Sequence, residues 1–421
     1  MKPSVLIAGA GIGGLTAALK LHRLGVKVSL IDAARELQPL GVGINLLPHG
    51  AGVLYGLGLG DELKATGIQT RAIEYRTQYG QLIQRDPRGL HAGSPWPQYS
   101  IHRGQLQMLL HRAVQREIGA VRTDHRMDHF EHEGSGVRVH MRQGSTGEVT
   151  SERFDALIGA DGIHSATCAQ LHPDASPLVF SGTMMWRGAV EREPFLDTET
   201  MVICGHHDSK AVIYPISREA AQRGRSLINW VAEINIGRDA KYQREDWNRA
   251  ATVEEFLPAF ADWHFDFLDV PALFRATERI FVYPMADREA LPFWSQGGVS
   301  LLGDAAHPMY PIGANGASQA ILDADALGTA FSEADLDVHA ALKLYESRRL
   351  PATAKVVASN RTLGPEAVLQ LARERIKGPD DVVSDLITPE EIAAITQGYQ
   401  KVAGFDAATL SARAQTMQSA G

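Results

Sequence analysis

Cysteine is nearly absent from this chain: its 421 residues include Cys168, Cys204 and no other. Two thiols without C-x-x-C spacing exclude a disulfide framework and a cysteine-rich metal site, and they make the reducing cytoplasm the expected compartment. Also missing is any run of about eighteen apolar residues, so no membrane-spanning helix is expected. The apolar opening runs straight into a glycine-rich turn with no cleavage-like site, which argues against a secretory leader. Basic blocks are missing as well. Lys and Arg number 41 against 49 Asp and Glu, a formal net charge of −8, so nucleic acid and anionic membrane are poor partners. Sixteen histidines occur without a ligand spacing such as H-E-x-x-H, so no metal is expected. What is present, 44% hydrophobic and 21% charged residues, suits a globular protein large enough for two domains.

Val5, Leu6, Ile7 and Ala8 read as a short strand leading into Gly9-Ala10-Gly11-Ile12-Gly13-Gly14 and an amphipathic helix. In that context G-x-G-x-x-G binds a dinucleotide. Gly9 permits the tight turn, Gly11 lets backbone approach a pyrophosphate, and Gly14 lets the helix pack close to the strand. A second strand over 26–31 ends at Asp32, eighteen residues past Gly14, where a carboxylate reaches the adenosine ribose hydroxyls. Toward the other end, LLGDAAHPMYPIGANGASQA (301–320) places an apolar strand before Gly303-Asp304 and a glycine-rich turn that opens a helix. Asp304 can accept hydrogen bonds from sugar hydroxyls, and amides at the helix N-terminus can hold negative charge on an electron-poor ring. That order suits a ribityl chain and a flavin. Other glycine clusters are incomplete as fingerprints: Gly56, Gly58 and Gly60 are followed by Asp61 and read as a helix stop, and Gly134-Ser135-Gly136 as a hairpin turn. No second nicotinamide fingerprint is complete, and the six tryptophans lie too far apart for the W-x-W of a flavin halogenase.

Helical spacing of Leu106, Leu109, Leu110, Ala113 and Val114 predicts a helix over 105–118, and alternation of Val137, Val139 and Met141 predicts a strand. A buried strand over 154–159 delivers Ala160-Asp161-Gly162 to a turn. Runs at 184–190, 212–216, 227–236 and 279–285 predict one antiparallel sheet with a helical excursion over 252–267. A helix over 317–331 follows, then a helix-rich stretch that frays after Ala407. The expected fold class is α/β: a Rossmann-like FAD-binding domain, an interleaved antiparallel β-sheet substrate domain, and C-terminal helices. The expected boundaries are 1–75, 101–178 and 286–360 for the FAD-binding domain, 76–100 and 179–285 for the substrate domain, and 361–421 for the helical segment.

Together, GAGIGG, HRGQL (102–106), GADGIHS (159–165) and GDAAHPMYPIGANGASQA resemble the single-component FAD-dependent aromatic hydroxylases, over about residues 4–360. MWRG (185–188), YPIS (214–217), INWVAE (228–233) and GANGASQAI (313–321) are most similar to the phenazine-carboxylate hydroxylase branch, with salicylate and hydroxybenzoate hydroxylases more distant. The resemblance implies that Gly9, Gly11, Ile12, Gly13, Gly14 and Asp32 hold the FAD adenosine and pyrophosphate, with Arg103 covering the pyrophosphate and Gly43 and Ile44 also at the cofactor. Asp161 and Gly162 would bridge flavin binding and nicotinamide approach. Gly303 and Asp304 would take the ribityl chain, and Pro308, Gly313, Ala314 and Asn315 would line the flavin ring. Three departures stand out: Asp32 where glutamate is commoner, Cys168 where arginine is frequent, and Ala314 and Ser318 in place of a glycine and an asparagine of distant members.

The implied reaction uses NADH or NADPH and O2. Through a flavin hydroperoxide it hydroxylates a small electron-rich aromatic or heteroaromatic acid in a site shielded from water. A related flavin oxidoreductase doing epoxidation or dehydrogenation, or a non-catalytic flavin-binding protein, are the alternatives. Trp186, Tyr214, Trp230, Tyr283 and Met285 lie on predicted strands and suit either an aromatic substrate wall or ordinary sheet core. Arg187 is the candidate partner of a substrate carboxylate. His206, His207 and Tyr214 are the candidate catalytic groups, and His307 adjoins the flavin loop. The protein is expected to be a monomer or homodimer.

Overall fold

The computed structural model describes residues 2–240 and 249–419. Its first layer is a five-stranded sheet in the order Lys27–Ile31, Ser4–Ala8, Ala156–Gly159, Val299–Leu301, Ser295–Gln296. The first four strands run parallel and the last antiparallel. Val5, Leu6 and Ile7 are wholly buried, as a strand covered on both faces requires. Helices Ile12–Arg23, Arg103–Glu117 and Gly316–Glu333 supply the apolar residues that complete this core. The run expected as one strand over 154–159 divides at Asp155, whose carboxylate accepts from the Ser4 amide at 2.7 Å. Val149–Phe154 instead joins an antiparallel three-stranded sheet with Gly136–Gln143 and His125–Glu133, whose turn has Gly134 at φ +60°.

The second layer is an eight-stranded sheet in the order Arg249–Ala251, Ile280–Asp287, Val179–Arg192, Ser226–Asn235, Ser209–Pro215, Thr200–Gly205, Ala72–Arg76, Leu82–Pro87. It is not wholly antiparallel: Thr200–Gly205 pairs parallel with Ala72–Arg76. The 72–76 strand therefore sits in this sheet, across the boundary expected at residue 75. Alternation sorts each strand between two faces. Ile73, Tyr75, Met185, Met201, Ile203, Val212, Tyr214 and Val231 lie on one. Trp186, Val202, Cys204, Ile213 and Trp230 lie on the other.

The helix expected over 252–267 does not form. Two short 3-10 turns, Val253–Glu255 and Leu257–Phe260, are followed by a small hairpin and the helix Val270–Arg275. Pro258 lacks an amide to continue a helix, and Phe256, Phe260 and Phe274 turn into one aromatic cluster with Trp230. Nor does the chain fray after Ala407: helix Ala407–Ser419 is anchored by buried Leu410 and by an ion pair between Arg413 and Asp325. No helix among the described residues is long and apolar enough to cross a membrane.

Candidate active site

A cavity of about 370 Å³ lies where the C-terminal ends of the parallel strands meet the first face of the large sheet. This is where open parallel sheets bind ligands. Gly11–Gly14, Ala160, Gly162, Leu302, Gly303 and Asp304 come from the strand ends, and Ile73, Met185, Met201, Ile203, Val212, Tyr214 and Val231 from the sheet.

The glycine turn is built as a cradle. Gly9 holds φ +111°, and a Cβ there would meet the Ala160 carbonyl oxygen at 2.2 Å; a Cβ on Gly14 would meet the Gly9 oxygen at 2.0 Å. A Cβ on Gly11 would meet no protein atom within 4 Å. Gly11 caps helix Ile12–Arg23, which has no side-chain cap and no acid in its first turn. The same is true of helix Gly316–Glu333, whose Asn315, Gly316 and Ala317 also line the cavity. Two helix N-termini with unsatisfied amides thus open on one cavity, a fit to the phosphates and electron-poor ring of FAD. Asp304 faces the cavity, open to its space, and desolvation by the surrounding protein raises its pKa, opposed by His307 and Arg103. Asp32 lies behind the turn, half-exposed, accepting from the amides of Ala10 and Ala34 at 2.8 Å each.

Other expected cofactor residues take varied places. Arg103 and Ile44 line the cavity. Gly43 sits just behind, its amide donating to Asn229 Oδ1 at 2.6 Å and its carbonyl accepting from Arg187 Nη2 at 2.9 Å. The Asp161 carboxylate turns away from the cavity and accepts from Ser165 Oγ and the Thr167 amide. Pro308 is buried outside the lining, and Pro311 takes a place in it. Gly313 (φ +69°) and Ala314 (φ +54°) are both left-handed, so the alanine carries strain a glycine would not. Beneath this loop the fully buried Asp323 accepts from His307 Nε2 at 2.5 Å, Arg349 Nε at 2.7 Å and the Gly303 amide at 3.0 Å. His307 and Arg349 hold its pKa at about 2 despite burial. His307 is therefore a brace for the loop. Beside buried Cys168 stands Arg288, whose Nη1 donates to its Sγ at 3.2 Å.

Of the expected substrate and catalytic residues, Arg187 and Tyr214 line the cavity side by side. Burial raises the Tyr214 pKa, Arg187 opposes the shift, and Arg187 Nε is buried without a partner. Of the two places open to Trp186 and Trp230, the structure gives them sheet core rather than a substrate wall. Strand alternation turns both to the far face, Trp186 stacked on Phe256 and Trp230 donating to Thr277 Oγ1 at 2.8 Å. Tyr283 pairs across strands with Met185 but does not line the cavity. His206, His207 and Met285 line a separate cavity of about 60 Å³.

Several cavity residues escape a reading of the sequence. Tyr75, Arg88 and Gln98 cluster at one end, with both polar atoms of buried Gln98 unpartnered. Arg88 pairs with Asp86 at 2.7 Å and lies over the Phe405 ring at 5.9 Å. From the C-terminal segment come Glu366, Thr396, Tyr399, Gln400 and Phe405. Tyr399 donates toward the Ile312 carbonyl at 3.2 Å and Asn360 Oδ1 at 3.0 Å, fastening helix Pro389–Ala403 over the Gly313 turn. Glu233, a lone acid in the apolar run INWVAE, was the one legible signal.

Fold and cavity define a flavin-dependent oxidoreductase in which a dinucleotide-binding domain shares its site with a β-sheet domain. The chain belongs to the FAD binding domain family, which matches residues 2–360, in the branch of FAD-dependent aromatic hydroxylases. It is 47% identical to the phenazine 1,6-dicarboxylic acid hydroxylase of Lysobacter antibioticus over 363 residues, 85% of this chain and 89% of the relative. It is 32% identical over 427 residues, 98% of each chain, to a 3-amino-4-hydroxybenzoate 2-monooxygenase of Streptomyces platensis. Among solved structures, Klebsiella pneumoniae HpxO with FAD and uric acid superposes with a TM-score of 0.76 at 23% identity, covering 97% of this chain and 96% of that one. A salicylate hydroxylase substrate complex does so with a TM-score of 0.74 at 22% identity, covering 99% and 98%. Both share the fold. The protein is an FAD-dependent aromatic-ring monooxygenase that uses NAD(P)H and O2.

Proposed function

We propose that the substrate is a fused or substituted heteroaromatic carboxylic acid, of the kind named for the Lysobacter relative, bound flat against the apolar sheet face with its carboxylate on Arg187. The observation that carries this reading is the union, in one cavity, of the glycine cradle and Asp304 with an Ile-, Met- and Val-lined wall broken by Arg187 and Tyr214. FAD, when bound, would supply the redox chemistry by which two electrons of NADH or NADPH let one atom of O2 enter the product and the other leave as water.

The chain's own residues do the rest. Gly9, Gly11, Ile12, Gly13, Gly14 and Asp32 hold the adenosine and pyrophosphate, Arg103 covers them, and Gly303, Asp304, Gly313, Ala314 and Asn315 hold the ribityl chain and ring. Arg187, with one donor spent on Gly43 and Nε unpartnered, ties substrate position to the strand Gly43–Leu46. The apolar wall and Phe405 exclude water. Two buried thiols support a cytoplasmic protein; we place it there, as a monomer or homodimer.

The test is NADH and NADPH oxidation by the FAD-loaded protein with phenazine-1-carboxylate, phenazine-1,6-dicarboxylate, hydroxybenzoates and hydroxynicotinate, products being weighed by mass spectrometry. A phenazine acid that accelerates oxidation and yields a product carrying a new ring hydroxyl supports the reading, and Arg187→Lys then raises its KM about tenfold or more, since a bidentate contact is lost. Oxidation stimulated by none of these acids, or stimulated without oxygen gain, overturns it.

A further inference from the structure

Two buried carboxylates on the cavity wall, and the buried lysine they share, have no part in holding a flavin or a substrate carboxylate. Lys210 on strand Ser209–Pro215 meets Glu233 of the neighbouring strand, Nζ to Oε2 2.8 Å, and also pairs with Glu366 from the turn Gly364–Glu366. Each is more than nine-tenths buried. Two carboxylates share one ammonium, so the cluster carries a carboxylate in excess unless it also holds a proton. Burying such an excess is costly, and stability gives no reason to keep it at an apolar sheet face.

Its position gives one. Glu233 and Glu366 line the main cavity, and all three residues line the small cavity of about 60 Å³ beyond, whose other walls include His206, His207 and Arg238. His207 and Arg238 are exposed, so this second cavity lies on the solvent side. The cluster is the partition between the two spaces.

We infer that Glu233, Lys210 and Glu366 form the proton acceptor of the site and its outlet to solvent. The inference rests on the hydroxylase reading above. When a ring carbon exchanges hydrogen for hydroxyl, a C–O bond forms and the C–H bond breaks. The O–O bond of O2 breaks, one oxygen entering the ring hydroxyl and the other water; NAD(P)H gives a hydride with its two electrons, two solvent protons supply the remaining hydrogens of hydroxyl and water, and the ring hydrogen leaves as a proton. An ionised carboxylate of the cluster takes that proton, Lys210 holds the pair together, and the proton passes to solvent on the His206 and His207 side.

The surrounding charges agree. Tyr75 and Tyr399 face the cluster from the main cavity, and burial keeps both phenols neutral. On the outer side, Arg361 is committed to Asp287 and Glu289, and burial keeps the His206 pKa low. Burial also raises the Glu366 pKa, against Lys210 and the backbone amide of Gly313. A carboxyl with a raised pKa exchanges protons closer to neutral pH than an ordinary one.

The experiment compares wild type, Glu366→Gln and Glu233→Gln, isosteric changes, with whichever acid of the panel is hydroxylated. FAD content, substrate affinity by flavin fluorescence, and product formed against pH are measured. The expected result is retained FAD and substrate affinity, product formation cut at least tenfold in one or both variants, and the acid limb of the wild-type pH profile displaced to lower pH or lost. Wild-type rates and profiles in both variants overturn the inference, as does loss of FAD in both, which would mark the cluster as structural. Absence of any hydroxylated product from wild type fails the underlying reading instead, so the two failures are distinguishable.

Discussion

Alanine at Gly11 and at Gly14 separates a glycine that makes room for the cofactor from one that makes room for the protein. At Gly11 the backbone has φ −72°, which alanine adopts freely, and the added Cβ meets no protein atom within 4 Å. Gly11→Ala therefore leaves the apoprotein's melting temperature unchanged. Its methyl group instead enters the space from which a pyrophosphate reaches the helix amides. Losing one charge-assisted hydrogen bond there costs about 1.5–3 kcal/mol, which weakens FAD roughly 10- to 100-fold. At an FAD concentration of 100 times the wild-type Kd, ligand stabilisation is about 2.7 kcal/mol, and a 100-fold weaker site retains only about 0.4 kcal/mol. The gap between melting curves with and without FAD should collapse accordingly. Gly14→Ala behaves differently, because its Cβ would lie 2.0 Å from the Gly9 carbonyl oxygen. The apoprotein itself should lose about 1–3 kcal/mol as backbone shifts to relieve the overlap. FAD titration by fluorescence quenching and paired melts decide the matter. Wild-type FAD affinity in Gly11→Ala, or an apoprotein as destabilised as Gly14→Ala, would refute the reasoning.

Other expectations test the loop, the far face and the pH response. Ala314→Gly should stabilise the protein by about 0.5–1 kcal/mol in urea unfolding, since left-handed strain of about 1–2 kcal/mol is relieved and part is returned as unfolded-state entropy. Trp230→Ala should cost about 3–5 kcal/mol by the same assay, yet leave the substrate KM of the folded fraction unchanged; a KM shift would return Trp230 to the binding site. His49 is fully buried and its pKa is lowered to about 3, chiefly by burial. The unfolded chain binds this proton below pH about 6.5 and the folded chain does not, so stability falls with pH between those values, by up to about 1.4 kcal/mol per unit. His49→Gln should flatten that slope in urea titrations run from pH 7 to 4, and an unchanged slope would assign the acid response elsewhere.

The sequence by itself marked the half of the cavity proposed to hold the cofactor. Gly9, Gly11, Gly14, Asp32, Gly303 and Asp304 act through backbone conformation and short-range geometry next to the strands that carry them, so spacing along the chain is enough to identify them. The substrate half depends on which face each strand turns inward and on which distant segment covers it. Trp186 and Trp230 suited either a binding wall or sheet core, and strand alternation decided it, sending Met185, Arg187 and Val231 to the cavity and the tryptophans to the opposite core. Arg88, Gln98, Tyr399 and Phe405 reach the site from segments far apart in the chain, and nothing local marks them. The pairing of Glu233 with Lys210 and Glu366 likewise exists only after two strands and a C-terminal turn have met, because a buried charge acquires meaning from its partners and its cavity, which tertiary packing alone supplies.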